Sequence, residues 1–509
     1  MVAIIGAGPS GIYAAEALVQ QHDVPVEVAV IDRLPVPFGL VRYGVAPDHP
    51  SIRSIRNTLE RTLEKSGVRF YGDVAIGRDL TVPELRDSVD AVIYAYGAGS
   101  DRRMDIPGER LPGSIAASEL VAWYCGHPDV HPDLNISEGG DPLGPPPRAQ
   151  QHTGARESDG RVVDAPVIEK LIATTTSAVV VGVGNVALDV ARVLIKSAEQ
   201  LSDTDMPDEV LDGLASTRIT DVHILGRRGP AYTAFTTKEL REIGQLEGVE
   251  MRVDPLDLVL DESSQARLAV DKVATRNVAV FTEWASRPNL SEGGRPPSDP
   301  PRRAQQHTGA RPVPRRVWWH FWTRPTALRG EGRVRAVEVE STTIDADGRV
   351  VSAGEPRTLA AQLVVRSVGY RGLPLPGVPY DESSGRVPHA EGRVIRDGEF
   401  SVGEYVTGWI KRGPTGVIGT NKSDAVETVA SLLADVHEGE VVPHGRSGDL
   451  DRLLASRGVT PLDLPAWHRI DAAEIELGRS HGRMRTTLAH RRELLAAAAD
   501  PEPSTTVDR

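Results

Sequence analysis

Val2-Ala3-Ile4-Ile5-Gly6-Ala7-Gly8-Pro9-Ser10-Gly11 opens the chain with a short β-branched run that breaks into glycines at the spacing GxGxxG. The run reads as a buried strand, and residues 10–21 as the helix that follows it. Gly6 permits the tight turn, Gly8 lets the backbone approach a pyrophosphate, and Gly11 lets helix and strand pack closely. The helix N-terminus offers N–H groups and a dipole to the phosphates. The next strand, read over residues 26–31, ends in Asp32, where an acid accepts hydrogen bonds from ribose hydroxyls. A bound dinucleotide of the FAD or NAD kind is the expectation.

The pattern returns once. Gly182-Val183-Gly184-Asn185-Val186-Ala187 follows the apolar run 178–181 and opens a second helix, read over 186–200. Ala187 stands at the third glycine position, an accepted variant. The strand after it, residues 222–225, ends in Gly226-Arg227-Arg228-Gly229-Pro230 instead of an acid. An acid there would repel a 2′-phosphate, whereas two guanidiniums attract it and can bond it bidentately. The second site is therefore expected to take NADP(H) rather than NAD(H).

Around these turns, β-branched runs alternate with helical stretches. Residues 52–65 read as helix, 68–71 as strand and 91–96 as an apolar run; a later run at 363–365 precedes Arg366-Ser367-Val368-Gly369. Such alternation predicts an α/β chain with parallel, doubly wound sheets. With 509 residues, more than one core is required. The net charge of −13 argues against a general nucleic-acid binder, which needs a basic face. The lone cysteine, Cys125, excludes an internal disulfide, a CxxC redox pair and a self-ligated iron–sulfur cluster, so electron chemistry must come from a bound organic cofactor. No metal site is read. No membrane-length apolar run and no secretory signal is visible, and a cytoplasmic location is expected.

Two segments, near 137–160 and 290–312, are rich in Gly, Pro and Arg and share the nine residues Arg-Ala-Gln-Gln-His-Thr-Gly-Ala-Arg at 148–156 and 303–311. Their composition cannot bury a core, so they read as disordered surface insertions, with a duplicated docking peptide as the functional alternative.

The stretch Pro35-Val36-Pro37-Phe38-Gly39-Leu40-Val41-Arg42-Tyr43-Gly44-Val45-Ala46-Pro47-Asp48-His49-Pro50 resembles the adrenodoxin-reductase-type ferredoxin–NADP(+) reductases. Further stretches agree in order. They are Tyr94-Ala95-Tyr96-Gly97-Ala98, Ile106-Pro107-Gly108-Glu109, Phe235-Thr236-Thr237-Lys238-Glu239-Leu240, and Gly408-Trp409-Ile410-Lys411-Arg412-Gly413-Pro414-Thr415-Gly416-Val417-Ile418-Gly419. The match spans nearly the whole chain outside the two insertions. It implies a flavoprotein that moves hydride between NADPH and bound FAD and single electrons to or from a ferredoxin-type iron–sulfur protein. It also implies two Rossmann-like domains: an FAD domain from residues 1–106 and 366–509, with an NADP domain, 107–365, inserted between. By position Gly6, Gly8, Gly11, Asp32, Leu40, Val74, Trp409, Gly416, Val417 and Ile418 would serve FAD. Arg102, Val183, Gly184, Asn185, Val186, Arg227, Arg228, Glu239 and Gly416 would serve NADP. The family often has Glu where Asp32 stands, and its C-terminal Gly-Arg-Pro-Arg-x-Lys is matched here by Gly482-Arg483-Met484-Arg485-Thr486, so a role for that lysine is not carried over.

Two side chains are assigned to the chemistry. Glu239, after a Thr-Thr pair suited to capping, would accept from the nicotinamide carboxamide. His49 would hydrogen-bond near the flavin, with Asp48 orienting it or capping the next helix. Arg53, Arg56, Arg315 and Arg316 are the candidate basic surface for an acidic partner. An electron-input flavoprotein like the glutamate-synthase small subunit is the alternative, opposed by the missing cluster cysteines. Arg227→Ala plus Arg228→Ala should raise the KM for NADPH sharply and leave that for NADH nearly untouched in steady-state assays; equal losses would reject the phosphate assignment.

Overall fold

The computed structural model describes residues 1–131, 164–287, 314–443 and 448–500. Both repeat-bearing segments, expected to be disordered, lie outside the described residues.

Two parallel sheets carry the architecture. The first holds seven strands in the order His389–Ala390, Arg393–Arg396, Glu399–Val406, Ala91–Tyr94, Val2–Ile5, Val28–Ile31, Val68–Tyr71. The five from Glu399–Val406 onward are parallel, and the first two add as an antiparallel edge. Val2–Ile5, Val28–Ile31 and Ala91–Tyr94 are buried at every residue, which is why they read as unbroken apolar runs rather than alternations. The second sheet is parallel throughout, in the order Ser114–Ala116, Leu363–Arg366, Ser177–Val181, Asp221–Leu225, Arg315–His320, Val249–Val253. The doubly wound α/β expectation is met twice in one chain.

The first sheet draws on residues from both ends of the sequence and the second only from the middle. Two crossings join them, and they pair with each other: Ser100–Asp101 runs antiparallel to Tyr370–Arg371, and the Arg102 N–H donates to the Gly369 carbonyl at 2.8 Å. An antiparallel sheet of Thr323–Arg329, Ala336–Ile344, Val350–Ser352 and Arg357–Ala360, not foreseen from the sequence, covers one face of the second sheet. Its Leu328, Val337 and Val339 pack on Val179, Val181, Leu225 and Val364.

The C-terminal part closes the structure through charge as well as apolar burial. Helix Leu464–Ser480 buries Trp467 and Ile470, and also Glu474, which is fully enclosed. Glu474 takes both terminal nitrogens of Arg42, with Arg42 Nη1 at 3.0 Å, and also Arg485 Nη1 at 3.3 Å and the Leu488 N–H at 2.9 Å. Arg53 is buried beside this network, bonded to Asp205 and to the Arg42 carbonyl. Arg53 therefore cannot belong to a basic docking surface. Arg316 is likewise engaged with Asp221 at 2.8 Å, and Arg315 donates to the Ile195 carbonyl at 3.0 Å. Clustering in sequence misjudged Arg53 because its acidic partner lies far along the chain. Among the described residues no helix is long and apolar enough to cross a membrane.

Removing one member of a buried charge pair leaves the other uncompensated, a loss of about 3–5 kcal/mol. Glu474→Ala should lower the unfolding free energy by that amount in urea titrations; a change under about 1 kcal/mol would mean that Arg42 and Arg485 find water instead.

Candidate dinucleotide-binding site

The two glycine turns are built alike, contact for contact. In the first, the Gly6 N–H donates to the Ile31 carbonyl (2.7 Å) and the Ala95 N–H to the Ile5 carbonyl (2.8 Å). In the second, the Gly182 N–H donates to the Leu225 carbonyl (3.0 Å) and the Ser367 N–H to the Val181 carbonyl (2.9 Å). Gly6 and Gly182 have φ of +112° and +133°. A Cβ on them would stand 2.6 Å from the Ala95 carbonyl oxygen and 2.1 Å from that of Ser367, so only glycine fits either place. A Cβ on Gly11 would lie 1.9 Å from the Gly6 carbonyl oxygen. The middle glycines differ in kind. A Cβ on Gly8 would come no nearer than 4.0 Å to any atom, and one on Gly184 would meet nothing within 4 Å. That open space, at the N-termini of helices Pro9–Gln20 and Asn185–Ile195, suits a pyrophosphate.

The matching hydrogen bonds fix a register between the two turns. Ile31 corresponds to Leu225, so Asp32 corresponds to Gly226. The Asp32 carboxylate is held by the Ala7 N–H (2.8 Å) and the Leu34 N–H (2.9 Å). Burial pushes its pKa up while those two amides oppose the rise. Its remaining lone pairs can accept ribose hydroxyls. At the second turn the side chain is absent and two arginines follow. The Arg227 carbonyl is pinned by Thr342 Oγ1 (2.9 Å) and that of Arg228 by the Trp322 N–H (3.3 Å). The Arg228 guanidinium lies 5.2 Å from the Tyr232 ring centre, and its Nε is buried with no partner among the described residues. Asn185 Oδ1, at the first residue of the second helix, is likewise buried without one. Both orphaned atoms fit a bound nucleotide as their missing partner.

Chain returning from the C-terminal half lies along the first turn. Gly408 sits against Ser10, where a Cβ would be 2.2 Å from the hydroxyl. Ser10 Oγ donates to Asn421 Oδ1 at 2.9 Å, on helix Thr420–His437. Trp409 begins helix Trp409–Arg412, and its ring meets that of Tyr370 at 5.5 Å between centres. Gly416 and Val417 are exposed just before helix Thr420–His437, and Ile418 is partly buried on the core. Leu40 is half-exposed after the Phe38 N–H has bonded the Ala7 carbonyl at 2.8 Å. Val74 is beside Asp32 through its N–H (2.9 Å to the Asp32 carbonyl), but its side chain is wholly in the core, which leaves only its backbone for a ligand.

His49 and Asp48 reach across from the first turn to the second. His49 is buried, with Nε2 3.2 Å from Asp189 Oδ1 and Nδ1 3.8 Å from Glu242 Oε2. Asp48 neither orients His49 nor caps the helix. It takes Arg192 Nε at 2.7 Å, Arg192 Nη2 at 2.8 Å and Lys196 Nζ at 2.7 Å. Against the burial that would raise it, these cations hold the Asp48 carboxyl well below the usual carboxylate range. Glu239 closes a capping box with Thr236 at the start of helix Thr237–Gly244, using Oε2. Arg102 stands exposed at the paired crossings, where Gly369 would bring a Cβ 3.9 Å from its Cδ. Sequence reasoning overlooked Asp189, Arg192, Lys196 and Glu242. For Asp189, Arg192 and Lys196 the only signal was their spacing on and just after the helix that follows the second glycine turn; Glu242 lies on the separate helix Thr237–Gly244.

Comparison with known proteins agrees with this geometry. The family pattern described as pyridine nucleotide-disulphide oxidoreductase matches residues 1–256. The chain is 41% identical over 513 residues to the NADPH-ferredoxin reductase FprA of Mycobacterium tuberculosis, covering 97% of this chain and 98% of that protein. It is 35% identical over 507 residues to the human mitochondrial NADPH:adrenodoxin oxidoreductase, covering 97% and 91%. A solved structure of M. tuberculosis FprA in complex with NADPH superposes with a TM-score of 0.80 at 39% identity, over 98% of this chain and 99% of that one.

Gly182→Val should cost more than about 2–3 kcal/mol of stability, since it forces a Cβ into a carbonyl at positive φ. Gly184→Val should cost under about 1 kcal/mol yet block the nucleotide. Thermal melts with and without NADPH distinguish the two; a Gly184→Val protein still stabilised by NADPH would show that the open space is not the phosphate site. The paired turns, the acid-to-arginine exchange between them and these likenesses converge, and the chain belongs to the pyridine nucleotide-disulphide oxidoreductase family, in the group that contains FprA and the mitochondrial adrenodoxin oxidoreductases.

Proposed function

We propose that this chain is an FAD-dependent ferredoxin–NADP(+) reductase, with FAD resident at the first turn and NADP(H) exchanging at the second. The observation that carries the reading is the register: an acid and an open phosphate space at one turn, and glycine followed by two arginines at the other. The relatives named above are, by name, NADPH-linked reductases of ferredoxin and adrenodoxin. The family's description mentions disulphides, but Cys125 is the chain's one cysteine, and burial pushes its thiol up to about 12. It stays protonated near neutral pH and has no partner thiol.

A bound flavin supplies the conversion between the two-electron chemistry of a nicotinamide and the one-electron chemistry of an iron–sulfur centre. The protein's own part is positioning. Asp32 fixes a ribose, and Gly8 and Gly184 admit phosphates. Arg227 and Arg228 take the 2′-phosphate. Trp409, with Tyr370 behind it, and the 416–418 backbone border the place where the two cofactors meet. Glu239, whose second oxygen is not used by the capping box, accepts from the carboxamide. His49, between Asp189 and Glu242, can hold or pass a proton beside that place. The domain limits 106/107 and 365/366 flank the paired crossings. The cytoplasm is the assigned location, where a lone thiol stays reduced.

Purified, flavin-supplied protein should be yellow and should reduce a [2Fe–2S] ferredoxin with NADPH far faster than with NADH, read by the ferredoxin's visible spectrum. Oxidation of NADPH without reduction of any ferredoxin tested would overturn the assignment.

A further inference from the structure

The sequence offers two arginines beyond the second glycine turn; the fold brings a third to the ring that Arg228 faces. Arg267 lies on helix Glu262–Val270, about 40 residues away in sequence. Its guanidinium carbon is 5.3 Å from the centre of the Tyr232 ring, and that of Arg228 is 5.2 Å from the same ring. The ring is held in place. Tyr232 ends the turn Pro230–Tyr232, and its hydroxyl hydrogen-bonds Ser263 Oγ at 2.7 Å. Ser263 Oγ in turn donates to Asp261 Oδ2 at 2.9 Å, and Asp261 caps the helix that carries Arg267.

Arg228 and Arg267 thus share one ring, and Arg227 precedes Arg228 in the chain. Among the described residues neither Arg227 nor Arg228 forms an ion pair, and Arg267 has only Asp271, with Nη2 3.3 Å from Oδ2. The Nε atoms of both Arg228 and Arg267 are buried without an acceptor among the described residues. An aromatic face attracts a guanidinium, but only weakly. It does not neutralise charge, so two like charges stationed at one ring gain from an anion between or beside them. The cluster follows Gly226, the position in register with Asp32, which is where a nucleotide lying on the second turn carries its 2′ substituent. Arg267 is 41% exposed at the side chain, so its outer nitrogens can reach a ligand while Asp271 keeps the helix end ordered.

We propose that Arg267 is a specificity-determining residue, the third cation of the 2′-phosphate site, with Tyr232 as the platform that sets Arg228 and Arg267 around one phosphate. This rests on the reading of the second turn as the NADP site. The test uses the flavin-loaded whole chain and two flavin-independent probes, 2′,5′-ADP and 5′-AMP, with binding measured by calorimetry. Arg267→Gln should weaken 2′,5′-ADP relative to 5′-AMP by about tenfold, as expected for one charge-assisted contact. The ratio of KM for NADPH to KM for NADH should rise similarly. Tyr232→Leu should reproduce part of that loss and Tyr232→Phe little of it, with thermal melts confirming that each variant folds. Unchanged 2′,5′-ADP affinity in Arg267→Gln, or equal weakening of both probes, overturns the proposal; equal weakening would place Arg267 at the adenine instead. If the unsubstituted protein itself failed to prefer 2′,5′-ADP over 5′-AMP, the NADP reading would fall first, so the two failures are separable.

Discussion

A missing Cβ organises this molecule. At Gly6 and Gly182 the chain turns so tightly against its neighbouring strand that a carbonyl, of Ala95 in one case and Ser367 in the other, occupies the place a side chain would need. The consequence extends beyond the turns. The chain that crowds Gly6 continues from Ala95 to Ser100–Asp101, and the chain that crowds Gly182 continues from Ser367 to Tyr370–Arg371. Those two short strands pair with each other. The connection between the sheets therefore grows directly out of the two nucleotide turns, so each turn's orientation is tied to the other's within a few residues. The contacts of Asp48 with Arg192 and Lys196, and of Tyr370 with Trp409, then add side-chain ties across the same junction.

With the backbone so nearly duplicated, specificity is left to a few side chains. Asp32 and Gly226 occupy equivalent places, and on the proposed reading this one difference separates a site that excludes an added phosphate from one that invites it. The arginines after Gly226 have their backbone carbonyls bonded to the protein, and among the described residues neither guanidinium forms an ion pair. Elsewhere in this acidic chain some arginines are structural: Arg42, Arg53, Arg192 and Arg485 are buried among carboxylates.

That contrast marks what was legible from residues alone. The strand at 68–71, the glycine turns, Asp32 and the Thr236–Glu239 cap were readable because each depends on local spacing. The sheet of Thr323–Arg329, Ala336–Ile344, Val350–Ser352 and Arg357–Ala360 carried a readable sign, the alternation Ala-Val-Glu-Val-Glu before the turn residues Asp-Ala-Asp-Gly. It was overlooked beside the stronger apolar runs. The burial of Arg53 and the pairing of Asp48 with Arg192 could not be read, since a charge looks solvated until a partner more than 100 residues away is placed against it. Arg267 belongs to the same class, invisible until the helix that bears it meets Tyr232.

If one polypeptide holds two dinucleotides face to face at a single junction, hydride leaves only one face of the nicotinamide. Rapid-mixing reduction of the flavin-loaded protein, using NADPH deuterated separately on each face of nicotinamide C4, addresses it most directly. Bleaching of the flavin absorbance should show a primary isotope effect from one face only, because fixed turns present the nicotinamide in one orientation. Slow bleaching without an isotope effect from either face, or equal effects from both, would contradict it.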